Sequence, residues 1–164
     1  MKFVLLAALC ASAAAFAASP PRPVFPDDIR VDVNVAFLPE GRKERADLYL
    51  PKTFPEGKKQ PAVVIIHGGG FVGGVKDAAR EINIGSNLVR NGYVAMSIEY
   101  LLATEGHPSW PQNLHDCKTA VRWLRANADK YHIDAAHIGV IGGSAGGHLA
   151  AMVALTGPDA GLDP

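Results

Sequence analysis

The chain has 164 residues, 48% of them apolar and 20% charged, with 16 Lys and Arg balanced by 16 Asp and Glu. Zero formal charge without a basic run argues against nucleic acid and anionic membrane surfaces as partners. The two cysteines lie at 10 and 117, so loss of an N-terminal leader leaves Cys117 alone and no internal disulfide is expected.

Met1-Lys2 is a short positive start, residues 3–16 are apolar except for Ser12, and Ala15-Phe16-Ala17 fits a small-residue cleavage site. Residues 1–17 therefore read as a signal peptide, and the protein as secreted or periplasmic. The run falls short of the roughly 20 apolar residues of a membrane span, so stable insertion is not expected. Cys10 is not read as a lipid-attachment cysteine, because the bulky Leu9 precedes it.

Residues 18–30 form a Pro-rich leader expected to pack loosely on the domain. Residues 31–37 and 42–50 alternate apolar and polar, as in a hairpin with one wet face, and Glu40-Gly41 supplies the turn. Residues 62–66, 93–98 and 138–141 are more apolar and read as strands of a parallel sheet. Between them, 77–90 reads as a helix stopped by Gly92, and a second helix runs from Ser109 or Pro111 to Ala128. Ser109 and Gln112 stand at capping-box spacing. Leu114, Cys117, Val121, Leu124 and Ala128 share one face of that helix, with Lys118, Arg122, Arg125 and Asp129 opposite. The coarse class is α/β.

Two glycine motifs each follow a strand. His67-Gly68-Gly69-Gly70-Phe71 comes after 62–66. Gly142-Gly143-Ser144-Ala145-Gly146 comes after 138–141 and opens an Ala/Leu-rich helix. A serine at a strand-to-helix turn of this kind sits in a strained backbone that only small neighbours permit, with its hydroxyl projecting from the sheet. Acyl transfer needs such a hydroxyl together with fixed N–H donors for the oxyanion, and glycines let backbone amides approach a substrate.

On these motifs, with Asp47-Leu48-Tyr49-Leu50-Pro51, Glu99-Tyr100 and the continuation Gly147-His148-Leu149-Ala150, residues 31–155 resemble the α/β-hydrolase fold. Within it they resemble the hormone-sensitive-lipase type and the bacterial acetyl and feruloyl esterases (BD-FAE-like). The resemblance implies a three-layer fold with a mostly parallel sheet flanked by helices. It implies Ser144 as nucleophile, with the amides of Gly69, Gly70 and Ala145 as the oxyanion hole. It also implies a small-molecule or carbohydrate ester as substrate. These families carry a basic residue after the tyrosine where this chain has Leu101, so a buried ion pair is expected to be missing.

In this fold the triad runs Ser, then Asp or Glu, then His. Beyond Ser144 the chain offers His148, one helical turn on, and Asp159 and Asp163 in a Gly/Pro-rich tail. His148 reads as a packing residue, since it rides on the same helix as the serine. Residues 31–164 are therefore expected to be the N-terminal portion of a C-terminally truncated domain, a poor enzyme by itself. Its last strand would present an exposed apolar edge that lowers solubility.

His67 reads as holding the glycine loop by a hydrogen bond. His115 and Asp116, adjacent on a helix, do not face one another and are not read as a dyad. Phe71, Trp110 and Tyr100 are candidates for lining an acyl or alcohol pocket or for simple packing. The six histidines lack metal-ligand spacing, so no metal or cofactor is expected. A dinucleotide fingerprint from Gly142 would need glycine at 144. A non-catalytic remnant that binds an ester or a protein partner stands as the alternative reading. Substrate preference and oligomeric state are not legible.

Overall fold

The computed structural model describes residues 23–164; the signal peptide read at 1–17 lies outside them. The strands are β1 (Arg30–Val35), β2 (Ala46–Leu50), β3 (Gln60–Ile66), β4 (Val94–Ile98) and β5 (Ile133–Gly142). The helices are α1 (Ala79–Arg90), α2 (Gln112–Ala126) and α3 (Ala145–Leu155), with a 3-10 turn at Pro158–Ala160.

The strands form one mixed sheet in the order β1-β2-β4-β3-β5. β1 and β2 are antiparallel, as are β2 and β4, whereas β3 pairs in parallel with both β4 and β5. Side chains alternate faces along a strand, and the core divides accordingly. Leu48, Leu50, Val64, Ile66, Met96 and Ile98 face α2 and α3, in a core with Leu114, Cys117, Leu124 and Leu149. Tyr49, Ile65 and Ala95 face the other way, against Val89, Ile84 and Leu88 of α1. The result is the expected three-layer sandwich. The chain steps from β3 to β4 through α1, then back across β3 to β5 through α2. With right-handed crossovers, that reversal puts the two helices on opposite faces.

β2 departs from a strand with one wet face: all five residues are buried, because it lies between β1 and β4 under both layers. Its polar member, Asp47, is paired with Lys76 Nζ at 3.3 Å. The described part of the leader packs on this sheet, with Phe25 edge-on to Tyr49, Ile29 buried and Asp28 bonded to Arg90.

The capping box at Ser109 and Gln112 does not form. α2 starts at Gln112, whose side-chain amide donates to Asp116 Oδ1 at 2.9 Å, while the Ser109 carbonyl accepts the Asn113 N–H. Nor is Lys118 on a wet face: it is buried and donates to the Thr156 carbonyl and to Asp163, which fold over it.

Candidate active site

Parallel pairing of β3 with β5 sets Ile66 opposite Gly142, so the chain leaves both strands at the same end of the sheet, side by side. The two glycine motifs are therefore neighbours. Open α/β sheets bind ligands at this carboxyl edge, where the strand order reverses.

Ser144 is exposed and held at φ 53° and ψ −123°, and α3 begins at the next residue. The turn is possible because its flanks are glycine. A Cβ at 142 would overlap the backbone of Gly146, and one at 146 would overlap the carbonyls of Ile66 and His67. The Gly146 and His148 amides donate to the carbonyls of Gly143 and Ser144, each at 3.0 Å. The serine thus stands at the positive end of a helix.

The glycine loop is as close as backbone allows: a Cβ at Gly68 would lie 2.9 Å from the Gly143 carbonyl oxygen and 3.5 Å from Ser144 Cβ. Gly69 at φ +124° takes a conformation that side-chain-bearing residues rarely adopt, and its carbonyl accepts the amides of Val72 and Gly73. Phe71 also has positive φ, 66°, and its carbonyl accepts the Ala103 amide at 2.8 Å. Among the described residues no acceptor takes the amides of Gly69, Gly70 or Ala145, which leaves them open to a ligand.

His67 holds this loop in the way its sequence position predicts. Its Nδ1–H donates to the Gly68 carbonyl at 2.7 Å, and its ring stacks on Tyr100 with centroids 4.4 Å apart. The Tyr100 hydroxyl, its pKa raised to about 12 by burial, donates in turn to the His67 carbonyl at 3.0 Å. Burial pushes the His67 pKa below the usual histidine value, so the ring is neutral at pH 7. Phe71 and Trp110, with Gly70, Val72, Asn113 and His148, line a mostly apolar pocket of about 310 Å³. Tyr100 is not part of it. His148 sits edge-on to Phe71 at 5.8 Å; its backbone amide donates to the Ser144 carbonyl, but among the described residues its ring makes no hydrogen bond to the Ser144 hydroxyl.

Asp116 is wholly buried and takes donors from Arg42 Nη1 and Nη2, the Leu101 amide and Gln112 Nε2, all at 2.7 to 2.9 Å. Its lone pairs are occupied, as a structural carboxylate requires. Position 101 supplies no cation, but a buried ion pair stands beside it: Arg42, from the β1–β2 connection, supplies the guanidinium to Asp116. Asp163 is engaged by Lys118 at 2.5 Å, which holds its carboxyl below the usual range. Among the described residues no three His, Cys, Asp or Glu side chains converge as metal ligands, and no helix is long and apolar enough to cross a membrane.

Sequence reading passes over two residues in the serine cleft, Arg80 and Glu81. This cleft, about 340 Å³, also contains Gly68, Gly69, Val75 and Ser144. Glu81 is buried, and Arg80 Nε and Nη2 both donate to its Oε1, at 2.9 and 2.5 Å. Nothing in the local pattern of α1 marks them.

The BD-FAE family model matches residues 46–164. Esterase LipC of Mycobacterium tuberculosis is 40% identical over 113 residues, which span 69% of this chain and 27% of that protein. Among solved structures, a truncated carbohydrate esterase from gut microbiota superposes with a TM-score of 0.69 and 32% identity, over 80% of this chain and 45% of its own. The esterase of Pyrobaculum calidifontis superposes with a TM-score of 0.64 and 36% identity, over 80% of this chain and 41% of its own. The chain thus spans less than half the length of each of these relatives.

Proposed function

The chain belongs to the BD-FAE family of α/β-hydrolases, and on that footing we propose that it carries the nucleophile and oxyanion hole of a secreted serine ester hydrolase of carboxylesterase or acetyl-esterase type. One observation carries the reading. An exposed serine at positive φ heads a helix beside a glycine loop whose amides, with that of Ala145, have no acceptor among the described residues.

Ser144 Oγ attacks the ester carbonyl carbon, and the carbonyl oxygen takes the negative charge. The amides of Gly69, Gly70 and Ala145 receive that oxyanion, with the end of α3 behind it. Collapse of the intermediate expels the alcohol and leaves an acyl-serine for water to hydrolyse. The Oγ proton needs a base. Within the described residues of the cleft, His67 is neutral but donates its Nδ1–H to Gly68 from a buried ring, and Glu81 is engaged by Arg80. The 164 residues by themselves are therefore expected to turn over ester near background, with a residual rate about a thousandfold over water left to the oxyanion hole. Short acyl esters, carbohydrate esters included, fit the 310 Å³ pocket and the names of the relatives. Export rests on the pattern of residues 1–17. N-terminal sequencing of the mature protein tests it, with Ala18 expected as the first residue after a cut behind Ala17.

The test of the chemistry is fluorophosphonate labelling and 4-nitrophenyl acetate hydrolysis by the full-length protein and its Ser144→Ala variant. Labelling at Ser144 and turnover lost in the variant are expected. Ester binding with neither labelling nor serine-dependent turnover would establish the non-catalytic reading instead.

A further inference from the structure

Two clefts flank the glycine loop and differ in chemistry. The one against Phe71 and Trp110 is mostly apolar. The one holding Ser144 contains a single cation among its lining residues, Arg80. The Arg80 side chain is 51% exposed, whereas that of Glu81, its partner, is 3% exposed. The charge this pair presents to the cleft is therefore the guanidinium.

The guanidinium is also fixed. Its Nε and Nη2 donate to one buried oxygen of Glu81, which uses two of its five N–H groups. Nη1 has no acceptor among the described residues and stands against Gly143, the residue before the nucleophile, so closely that a Cβ at 143 would overlap it. A tethered arginine with a free Nη1 edge is prepared to take a carboxylate by two parallel hydrogen bonds, at little further cost in side-chain freedom. Neutralising Glu81 alone would need no exposure beside the serine.

We propose that Arg80 makes this site selective for esters of hydroxy acids: the carboxylate of the alcohol part pairs with Arg80, and the uncharged acyl group lies against Phe71 and Trp110. The proposal rests on the ester-hydrolase reading for its context, but its test does not depend on turnover.

Two amide analogues of an acetyl ester, 3-acetamidobenzoate and the uncharged 3-acetamidobenzamide, are titrated by calorimetry into the full-length protein. The anionic probe is expected to bind about tenfold more tightly, and this preference should shrink at about 1 M salt, where screening reaches about 3 Å. Arg80→Met should bind both probes alike. Arg80→Lys keeps a cation for Glu81 but loses the planar fork, and should lose most of the preference, which covers the case of an Arg80→Met variant that fails to fold. Ser144→Ala should keep it. Equal or undetectable binding of the two probes by the parent protein, or a preference that survives in both Arg80 variants, overturns the proposal. The preference without fluorophosphonate labelling of Ser144 refutes the hydrolase reading and leaves the anion site standing; labelling without the preference does the reverse.

Discussion

At Ser144 and Gly69 backbone conformations that most residues avoid are held by contacts that only glycine allows, and two predictions belong here. Gly69→Val places a branched side chain at φ +124° against the Gly73 backbone. By displacing a donor of the proposed oxyanion hole it should lower kcat of the full-length protein about a hundredfold, roughly 3 kcal/mol, with KM little changed. Steady-state kinetics on a protein of unaltered circular dichroism checks this, and an unchanged kcat removes Gly69 from the oxyanion hole. The second concerns acid. Burial lowers the pKa of His67 below its unfolded value, so the folded state binds fewer protons. The stability this contributes is present above the unfolded pKa, about 6.5, and is lost as pH falls through the lower folded pKa. Urea melts from pH 7 to 4 should show it as a slope of up to about 1.4 kcal/mol per pH unit. His67→Gln should flatten that part of the profile; an identical profile would assign the acid loss to other groups.

Between elements, the position of the glycine loop depends on a relay that starts well away from it. Arg42 and Gln112 hold Asp116, Asp116 holds the Leu101 amide, and two residues later the Ala103 amide holds the Phe71 carbonyl. The β1–β2 connection, α2 and the segment after β4 are thereby fastened to the glycine loop. Arg42→Met leaves Asp116 buried with its charge uncompensated and should destabilise the fold by about 3 kcal/mol, read as a lower urea midpoint at unchanged m. Adding Asp116→Asn to that variant should recover part of the loss, because the buried charge is gone while an acceptor for Leu101 stays. No recovery would mean that packing of the Arg42 stem, rather than charge, carries the effect.

Across the whole molecule the sheet is asymmetric. β3 and β4 are sandwiched, whereas β5 lies at one end of the strand order and is largely unburied, with Ile141 43% exposed and Leu155 of α3 82% exposed. Among the described residues nothing pairs with the outer side of β5, and such an apolar edge invites association. The 164-residue chain should therefore self-associate at micromolar concentration, and Ile141→Lys should raise its monomer fraction in light scattering. Equal association of the two proteins would move the sticky surface elsewhere.

The elbow and the glycine loop are legible in the sequence because local sterics alone dictate them. Only glycine fits at 142 and 146, and a serine between a strand and a helix at that spacing has little other conformation to take. Most elements are legible too, since side-chain parity and helical spacing are short-range signals. Tertiary structure alone decides which distant charges meet. Arg42 and Asp116 are 74 residues apart and Lys118 and Asp163 are 45 apart, and the fold brings each pair together to satisfy a buried ion. β2 reads by alternation as half wet yet is buried throughout, because both of its neighbours and both helical layers close over it. Arg80 is one more exposed arginine of a helix until parallel pairing of β3 with β5 brings Gly143 beneath it. Local sequence sets backbone conformation residue by residue, whereas burial and ion pairing depend on which strands become neighbours, and that is a property of the assembled sheet.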